Sequence, residues 1–251
     1  MDVPIVAVHA AVLIAALLQA ATGIGFGVLA GPVILLALNS GSAIQISMLL
    51  SLLICVVLMP SLVRDVDRPS LRRVLLGSLA GFPLGILVFR AVGIDTLKLL
   101  AGGAVLFMAL SVAGYIRRSG TGDGPRRVYD LGIGLLSGAM NTSLAMPGPA
   151  IAARMAALER SKDVIRATVL VTLVFSYILA VGFQVALVGI ARETLVLAAW
   201  LAPATLAGVF VGRLAVARIS ERGFRIIVSA LLAATSLSLI VNALAGMLGY
   251  V

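Results

Sequence analysis

The sequence predicts an all-α integral membrane protein built from two inverted repeats. Each repeat is expected to be a broken or re-entrant helical hairpin followed by three transmembrane helices, giving about eight to ten membrane segments of ~20 residues or less. Three observations predict this: the composition, a doubled set of motifs, and the sidedness of the basic residues. Hydrophobic residues make up 61% of the 251 and charged residues only 12%. Mean hydropathy is +1.17. A soluble domain carries about 25% charged residues, so an ordinary soluble fold is excluded. Trp200, Tyr115, Tyr129 and Tyr250 fall near segment ends, where interfacial anchors belong.

The segments follow in order. Val3–Leu38 is a continuous apolar stretch. As one straight helix it would be about 54 Å long against a hydrocarbon core of about 30 Å. It also holds Thr22-Gly23-Ile24-Gly25 at its middle, and glycine is costly in a helix interior. It is therefore expected to break into two arms. Ala43–Val63, Leu71–Ala91 and Thr96–Tyr115 are single spans. The first repeat covers 1–116, and an Arg-, Gly- and Pro-rich linker covers 117–127. The second repeat, 128–251, opens with Val128–Leu158, expected to break at Gly138–Ser143 and again at Pro147-Gly148-Pro149. Val164–Gly189, Glu193–Ala217 and Phe224–Leu248 follow as spans. The whole chain is read as one transmembrane domain.

The doubling lies in spacing. Gly23–Pro32 is matched by Gly138–Pro147, Ser40–Ser47 by Ser161–Thr168, and Leu79–Gly85 by Leu206–Gly212. Gly- and Pro-interrupted segments at corresponding places in two halves of a hydrophobic chain point to a secondary transporter.

Charge sets the expected orientation. If each first segment crossed once, the 19 basic residues would divide almost evenly between the two sides. If each turns back to its starting side, only Arg90, Lys98 and Arg192 remain on one side and all the others collect opposite. The positive-inside rule selects the second arrangement. It makes the halves inverted repeats, with both termini extracytoplasmic and the linker 117–127 cytoplasmic in a multi-pass cell (inner or plasma) membrane protein. Re-entrant hairpins and pairs of short full spans remain equal alternatives.

Broken helices leave backbone N–H groups without helical partners, and such groups attract anions. The candidate substrate-binding residues are therefore Thr22, Gly23, Gly25 and Gly27 in the first interruption, and Asn141, Thr142 and Ser143 in the second. Gln45 and Arg166 are added as polar residues at matching starts of the following spans. Arg166 could hold a carboxylate or sulfonate by paired hydrogen bonds, or snorkel to the surface beside Lys162. Small residues at the breaks also suit close helix packing.

Other chemistries find little support. Cys55 is the single cysteine, so no internal disulfide and no cysteine metal site can form. His9 is the only histidine and lies in an apolar run. Every Asp and Glu, Asp130 and Asp95 included, falls near a segment end or in a loop, so coupling through a mid-membrane carboxylate is not expected. Tyr177, Gln184 and Asn242 read as interhelical hydrogen bonders. The net charge of +9 reflects orientation, not nucleic-acid binding. No catalytic residue, metal or cofactor is expected. The expected partners are a small anion and the lipid bilayer, with a homodimer compatible.

Taken together, Gly23–Pro32, Ala43–Ser47 and Leu79–Gly85, then Gly138–Pro147, Val164–Thr168 and Leu206–Gly212, resemble the TauE/SafE family of sulfite-exporter-type permeases. The resemblance covers nearly the whole chain. It departs where Asn141-Thr142-Ser143 stands in place of glycines. It implies transport of a small organic or sulfur oxyanion such as sulfite, a sulfonate or thiosulfate, with no enzymatic activity. The alternatives are an intramembrane enzyme acting on a lipid phosphate and a non-transporting partner subunit.

Overall fold

The structure, a computed structural model, describes residues 5–22, 26–61, 66–113, 126–157, 162–215 and 221–249. Ten α-helices cover most of them: α1 Ile5–Thr22, α2 Phe26–Leu38, α3 Ser42–Leu58, α4 Arg68–Ala91, α5 Ile94–Ala113, α6 Arg126–Leu144, α7 Gly148–Ala157, α8 Lys162–Leu187, α9 Arg192–Ala215 and α10 Glu221–Met247. Five of the described helices are long and apolar enough to cross a bilayer: α4, α5, α8, α9 and α10. Both long opening segments contain two helices, α1 and α2 in the first, with residues 23–25 between them outside the described residues, and α6 and α7 in the second. At 1.5 Å per residue the arms are about 27 and 20 Å in the first and about 28 and 15 Å in the second.

The second division is not where the glycines predict it. Gly138–Ser143 lies inside the continuous helix α6, and the chain leaves helical geometry only at Ala145–Pro147. Helix α6 tolerates its small polar run because each hydroxyl bonds back within the helix. Thr142 Oγ donates to the Gly138 carbonyl and Ser143 Oγ to that of Ala139. Pro147 and Pro149 are what stop it. Proline has no N–H to offer, and it drives the preceding residue out of the α region. The expected match of Gly23–Pro32 to Gly138–Pro147 fails with it, because Pro32 lies within helix α2 while Pro147 lies in the break.

Glycine-mediated contacts set how the helices run. Gly77, Gly81 and Gly85 of α4 press on the backbones of Leu131, Leu135 and Ala139 of α6, where a Cβ would overlap their carbonyls. Gly208 and Gly212 of α9 press in the same way on Leu13 and Leu17 of α1. In both pairs the contact numbers rise together, so α4 runs parallel to α6 and α9 parallel to α1. Gly102 of α5 meets Leu239 and Ile240 of α10, and Lys98 Nζ donates to Asn242 Oδ1 at 2.6 Å and to Asp95 at 3.0 Å. Those numbers run oppositely, so α5 and α10 are antiparallel. Gln45 reaches Gln184 while Ser51 sits beside Tyr177, so α3 and α8 are antiparallel as well.

The centre of the molecule is α2 and α3 with the inner faces of α1 and α8. Phe26, Ile34, Leu35, Ile46, Met48 and Leu170 are fully or almost fully buried there. Large apolar side chains such as Leu87, Phe107, Trp200, Phe210 and Leu237 point outward. That outward apolar surface is what a lipid-facing wall requires.

Candidate functional site

The two interruptions are built by the same local logic from different residues. In the first, Gln19 sits in the last turn of α1, buried. Its side-chain carbonyl accepts the backbone N–H of Phe26, the first residue of α2, at 3.2 Å. That satisfies one of the donors a helix start leaves open. Its amide NH2 donates to Cys55 Sγ of α3 at 3.1 Å. One side chain thus ties the end of α1, the start of α2 and the middle of the bundle.

In the second, α6 ends in a left-handed residue, Ala145, at φ +57°. Its N–H donates to the Asn141 carbonyl at 2.9 Å, the bond of an αL helix terminus, and the Met146 N–H donates to the Met140 carbonyl at 3.2 Å. Helix α2 ends the same way at Asn39, φ +45°. Asparagine accepts that geometry readily, whereas alanine there is strained. The surroundings hold Ala145 in place. Tyr177 Oη of α8 donates to its carbonyl at 3.2 Å, and Ser137 Oγ donates to the carbonyl of Pro147 at 3.1 Å. Asn141 Nδ2 donates to Ser176 Oγ at 2.8 Å.

The amide of Asn141 thus stands to Ser176 as that of Gln19 stands to Cys55, over separations of 35 and 36 residues. The two interruptions then meet. Gly27, at the start of α2, lies directly on the Ala145 carbonyl with no space for a Cβ. Gly31, one turn on, faces the Met146 side chain and Ser47. Ser51 lies beside Tyr177. Uncharged polar groups therefore collect at one junction: Gln19, Ser51, Asn141, Ser176 and Tyr177, together with the Cys55 thiol.

Asn141 is fully buried, and its Oδ1 has no hydrogen-bond partner among the described residues. A half-turn of the amide exchanges Oδ1 and Nδ2, and the Ser176 hydroxyl can donate or accept. The same pair can thus present either a carbonyl or an N–H on the side away from Ser176. A buried polar group left without a partner costs free energy.

The candidates from sequence are distributed as follows. Gly27 and Asn141 lie at the junction. Gly23 and Gly25 fall outside the described residues, as do the side chains of Thr22 and Arg166; Thr22 ends α1 and Arg166 is in the second turn of α8. Thr142 Oγ reaches across to the Phe82 carbonyl of α4 at 2.9 Å. Ser143 bonds within its own helix. Gln45 donates to Gln184 Oε1 and to the Gly189 carbonyl, at the α8–α9 connection. Gln184 in turn donates to the Thr142 carbonyl at 2.8 Å, linking Gln45 to the end of α6. Sequence reasoning did not single out Ser51, Ser176, Ala145 or Met146, placed Gln19 only at the edge of the first break, read Cys55 as a small buried apolar residue, and read Tyr177 as an interhelical hydrogen bonder, which its bond to the Ala145 carbonyl is. The signal that could have found them is the nearly equal spacing of the Gln19–Cys55 and Asn141–Ser176 pairs, 36 and 35 residues.

A second polar cluster lies at the other end of the α6–α7 hairpin. Asp130, fully buried, accepts a hydrogen bond from Arg154 Nε at 2.7 Å on one oxygen, and its other oxygen forms an ion pair with Arg73 Nε at 2.9 Å. The Arg154 guanidinium also stacks near the Tyr129 ring, 5.7 Å from its centroid.

Lipid-facing apolar helices around two interrupted hairpins, with polar groups where those hairpins meet, define a multi-pass integral membrane protein of the permease class. The chain matches the Sulfite exporter TauE/SafE family over residues 8–239 and belongs to that family, which makes it a membrane transporter of sulfur anions. No curated protein and no solved structure matches the chain.

Proposed function

We propose that this protein is a secondary transporter of the cell membrane that carries a small sulfur or organic oxyanion, such as sulfite, a sulfonate or thiosulfate. The anion binds where the interruptions of two inverted repeats, 1–116 and 128–251, meet. The observation that carries this reading is the contact of Gly27 with Ala145 beside the Asn141–Ser176 pair. It brings a helix start, a helix end and an unsatisfied amide to one place. Helix starts favour negative charge, and the amide supplies a directional donor once turned.

The pairing directions support the inverted relation. Parallel contacts of α4 with α6 and of α9 with α1, and antiparallel contacts of α3 with α8 and of α5 with α10, are those expected when equivalent helices run oppositely. The charge distribution supports placing both termini outside and the linker 117–127 in the cytoplasm.

Flux of labelled sulfite, sulfoacetate and thiosulfate in proteoliposomes tests the function. The wild-type protein moves at least one of them. Asn141→Ala, which removes the junction amide, slows that flux about tenfold or more while the protein stays folded. Undiminished flux in Asn141→Ala removes the junction as the binding place, and silence of the folded wild type toward all three anions removes the function.

A further inference from the structure

We propose that two small sets of hydrogen bonds, Gln45 with Gln184 and Gly189, and Thr168 with Asp67, close the two ends of the transport path. This rests on the transport reading and adds to it the contacts that part when an anion enters or leaves.

The first set lies at the start of α3. The Gln45 side-chain NH2 donates to Gln184 Oε1 at 3.2 Å and to the Gly189 carbonyl at 2.9 Å, which uses both of its hydrogens. Gly189 is left-handed, φ +87°, and its N–H donates to the Gln184 backbone carbonyl. Gln184 Nε2 donates onward to the Thr142 carbonyl in the last turn of α6. Gln45 thus fastens the start of α3 to the α8–α9 connection and, through Gln184, to the helix end that forms the junction. The second set lies at the other end of the α3·α8 pair. Thr168, in the second turn of α8, accepts on its Oγ the backbone N–H of Asp67, in the α3–α4 connection, at 2.9 Å. The Asp67 carboxylate in turn accepts the Ser70 N–H at the start of α4.

The two sets belong to one path. Gln45 and Thr168 fall in the matched stretches Ser40–Ser47 and Ser161–Thr168, so each half sets the start of its own helix, α3 or α8, on a connection of the other half. Because α3 and α8 are antiparallel, these contacts lie at opposite ends, with Ser51 and Tyr177 between them. Thr168, Thr172, Ser176, Ala180 and Gln184 follow at every fourth residue of α8, and all are buried. That row joins one closing contact to the other through Ser176 of the junction. It extends about 24 Å, against a hydrocarbon core of about 30 Å. The forces differ from those elsewhere in the bundle. Glycine contacts of backbone on backbone hold α4 to α6 and α1 to α9. Both closing sets are neutral hydrogen bonds, which water or an arriving anion can replace. The α3·α8 interface is therefore the one that can part at either end.

Cys55 is the reporter, being the single cysteine and buried at the junction. The full-length protein, in right-side-out and in inside-out membrane vesicles, is exposed to the impermeant thiol reagent sulfonatoethyl methanethiosulfonate. Labelling is followed at Cys55 and, in parallel, at Ser51→Cys in a Cys55→Ala chain. Gln45→Met and Thr168→Val keep the approximate size of the side chain and remove its closing bond. Each is expected to speed labelling about tenfold from one face: the extracytoplasmic face in Gln45→Met and the cytoplasmic face in Thr168→Val. Thr168→Ser, which keeps the hydroxyl, is expected to label as the wild type does. Opposite faces for the two variants support the closing contacts. Labelling from the same face in both, from both faces at once, or no faster than wild type at either reporter overturns them. Labelling of Thr168→Ser as fast as that of Thr168→Val overturns them too. The readout needs no substrate. Sided labelling in a protein that moves none of the three anions removes the substrate reading and leaves the closing contacts standing. Normal flux with unsided labelling removes only the closing contacts.

Discussion

Helix pairs α4·α6 and α1·α9 are joined by the same device and held by different forces. Both use residues without side chains to bring two parallel backbones into contact. Gly81 and Gly85 lie on the carbonyls of Leu135 and Ala139, and Gly208 and Gly212 on those of Leu13 and Leu17. In a bilayer no hydrophobic force draws helices together, so close packing and interhelical hydrogen bonds must do it. The α4·α6 pair uses both. Helix α6 adds glycines of its own, Gly134 and Gly138, each packed against α4 backbone. Ser78 Oγ donates across to the Gly134 carbonyl at 3.0 Å and Thr142 Oγ to that of Phe82 at 2.9 Å. The Arg73–Asp130 ion pair closes its end. In α1·α9 the matching contacts are made by Ala16 and Ala20, Thr205 bonds back into its own helix, and the end is the His9–Trp200 pair. Steric fit alone thus sets the approach of two helices, while polar pairing sets how firmly they stay. The first is shared by both pairs and the second is concentrated in one.

Three substitutions in each pair break or sharpen this contrast. The largest difference is expected at the ends. Asp130→Ala leaves two guanidiniums without their carboxylate, a loss of about 3–5 kcal/mol. His9→Ala removes a partly exposed ring contact, about 1 kcal/mol or less. Thermal midpoints in one detergent compare them, and equal losses would contradict the contrast. The next difference lies in the stripes. Gly81→Ala sets a methyl against the Leu135 carbonyl and the Ala139 backbone nitrogen; in Gly208→Ala the second obstacle is only the Ala16 methyl. Both lose about 1–3 kcal/mol, with Gly81→Ala at the upper end because backbone cannot move aside. The smallest difference is between hydroxyls. Ser78→Ala gives up an interhelical bond, about 1 kcal/mol, whereas Thr205→Ala gives up an intrahelical one and changes the midpoint less. A Thr205→Ala protein as destabilised as Ser78→Ala would show that polar pairing does not distinguish the two interfaces.

Much of the fold was readable because bilayer physics leaves few options. The eight apolar segments, the two helices of the first and the divided start of the second half follow from length, glycine cost and proline chemistry; the expected break at Thr22–Gly25 falls largely outside the described residues. The place of the second division was misread for a physical reason. Gly138–Ser143 looks like a break only if glycine and hydroxyl residues are judged by helix propensity alone. Gly138 is instead spent on contact with Ser78, and the hydroxyls find carbonyls within or beside their helix. Of the candidate site, Gly27 and Asn141 were readable as parts of interruptions. Tyr177 was readable as an interhelical hydrogen bonder, but its partner, and the role of Gln19, were not, since they depend on which carbonyl or amide lies opposite. Asp130 was read only as an acid near a segment end, because its two arginine partners come from other helices.

The sequence by itself determined that this chain crosses the membrane many times, that it opens each half with a divided helix, and that it belongs among anion permeases. Those properties depend on composition, spacing and the few residues a helix cannot absorb, all local quantities. Only the tertiary structure decided that the two divisions touch at Gly27 and Ala145, and that a buried carboxylate binds two arginines from separate helices. Contacts between groups far apart along the chain are fixed by how whole helices pack, and no local pattern carries that information.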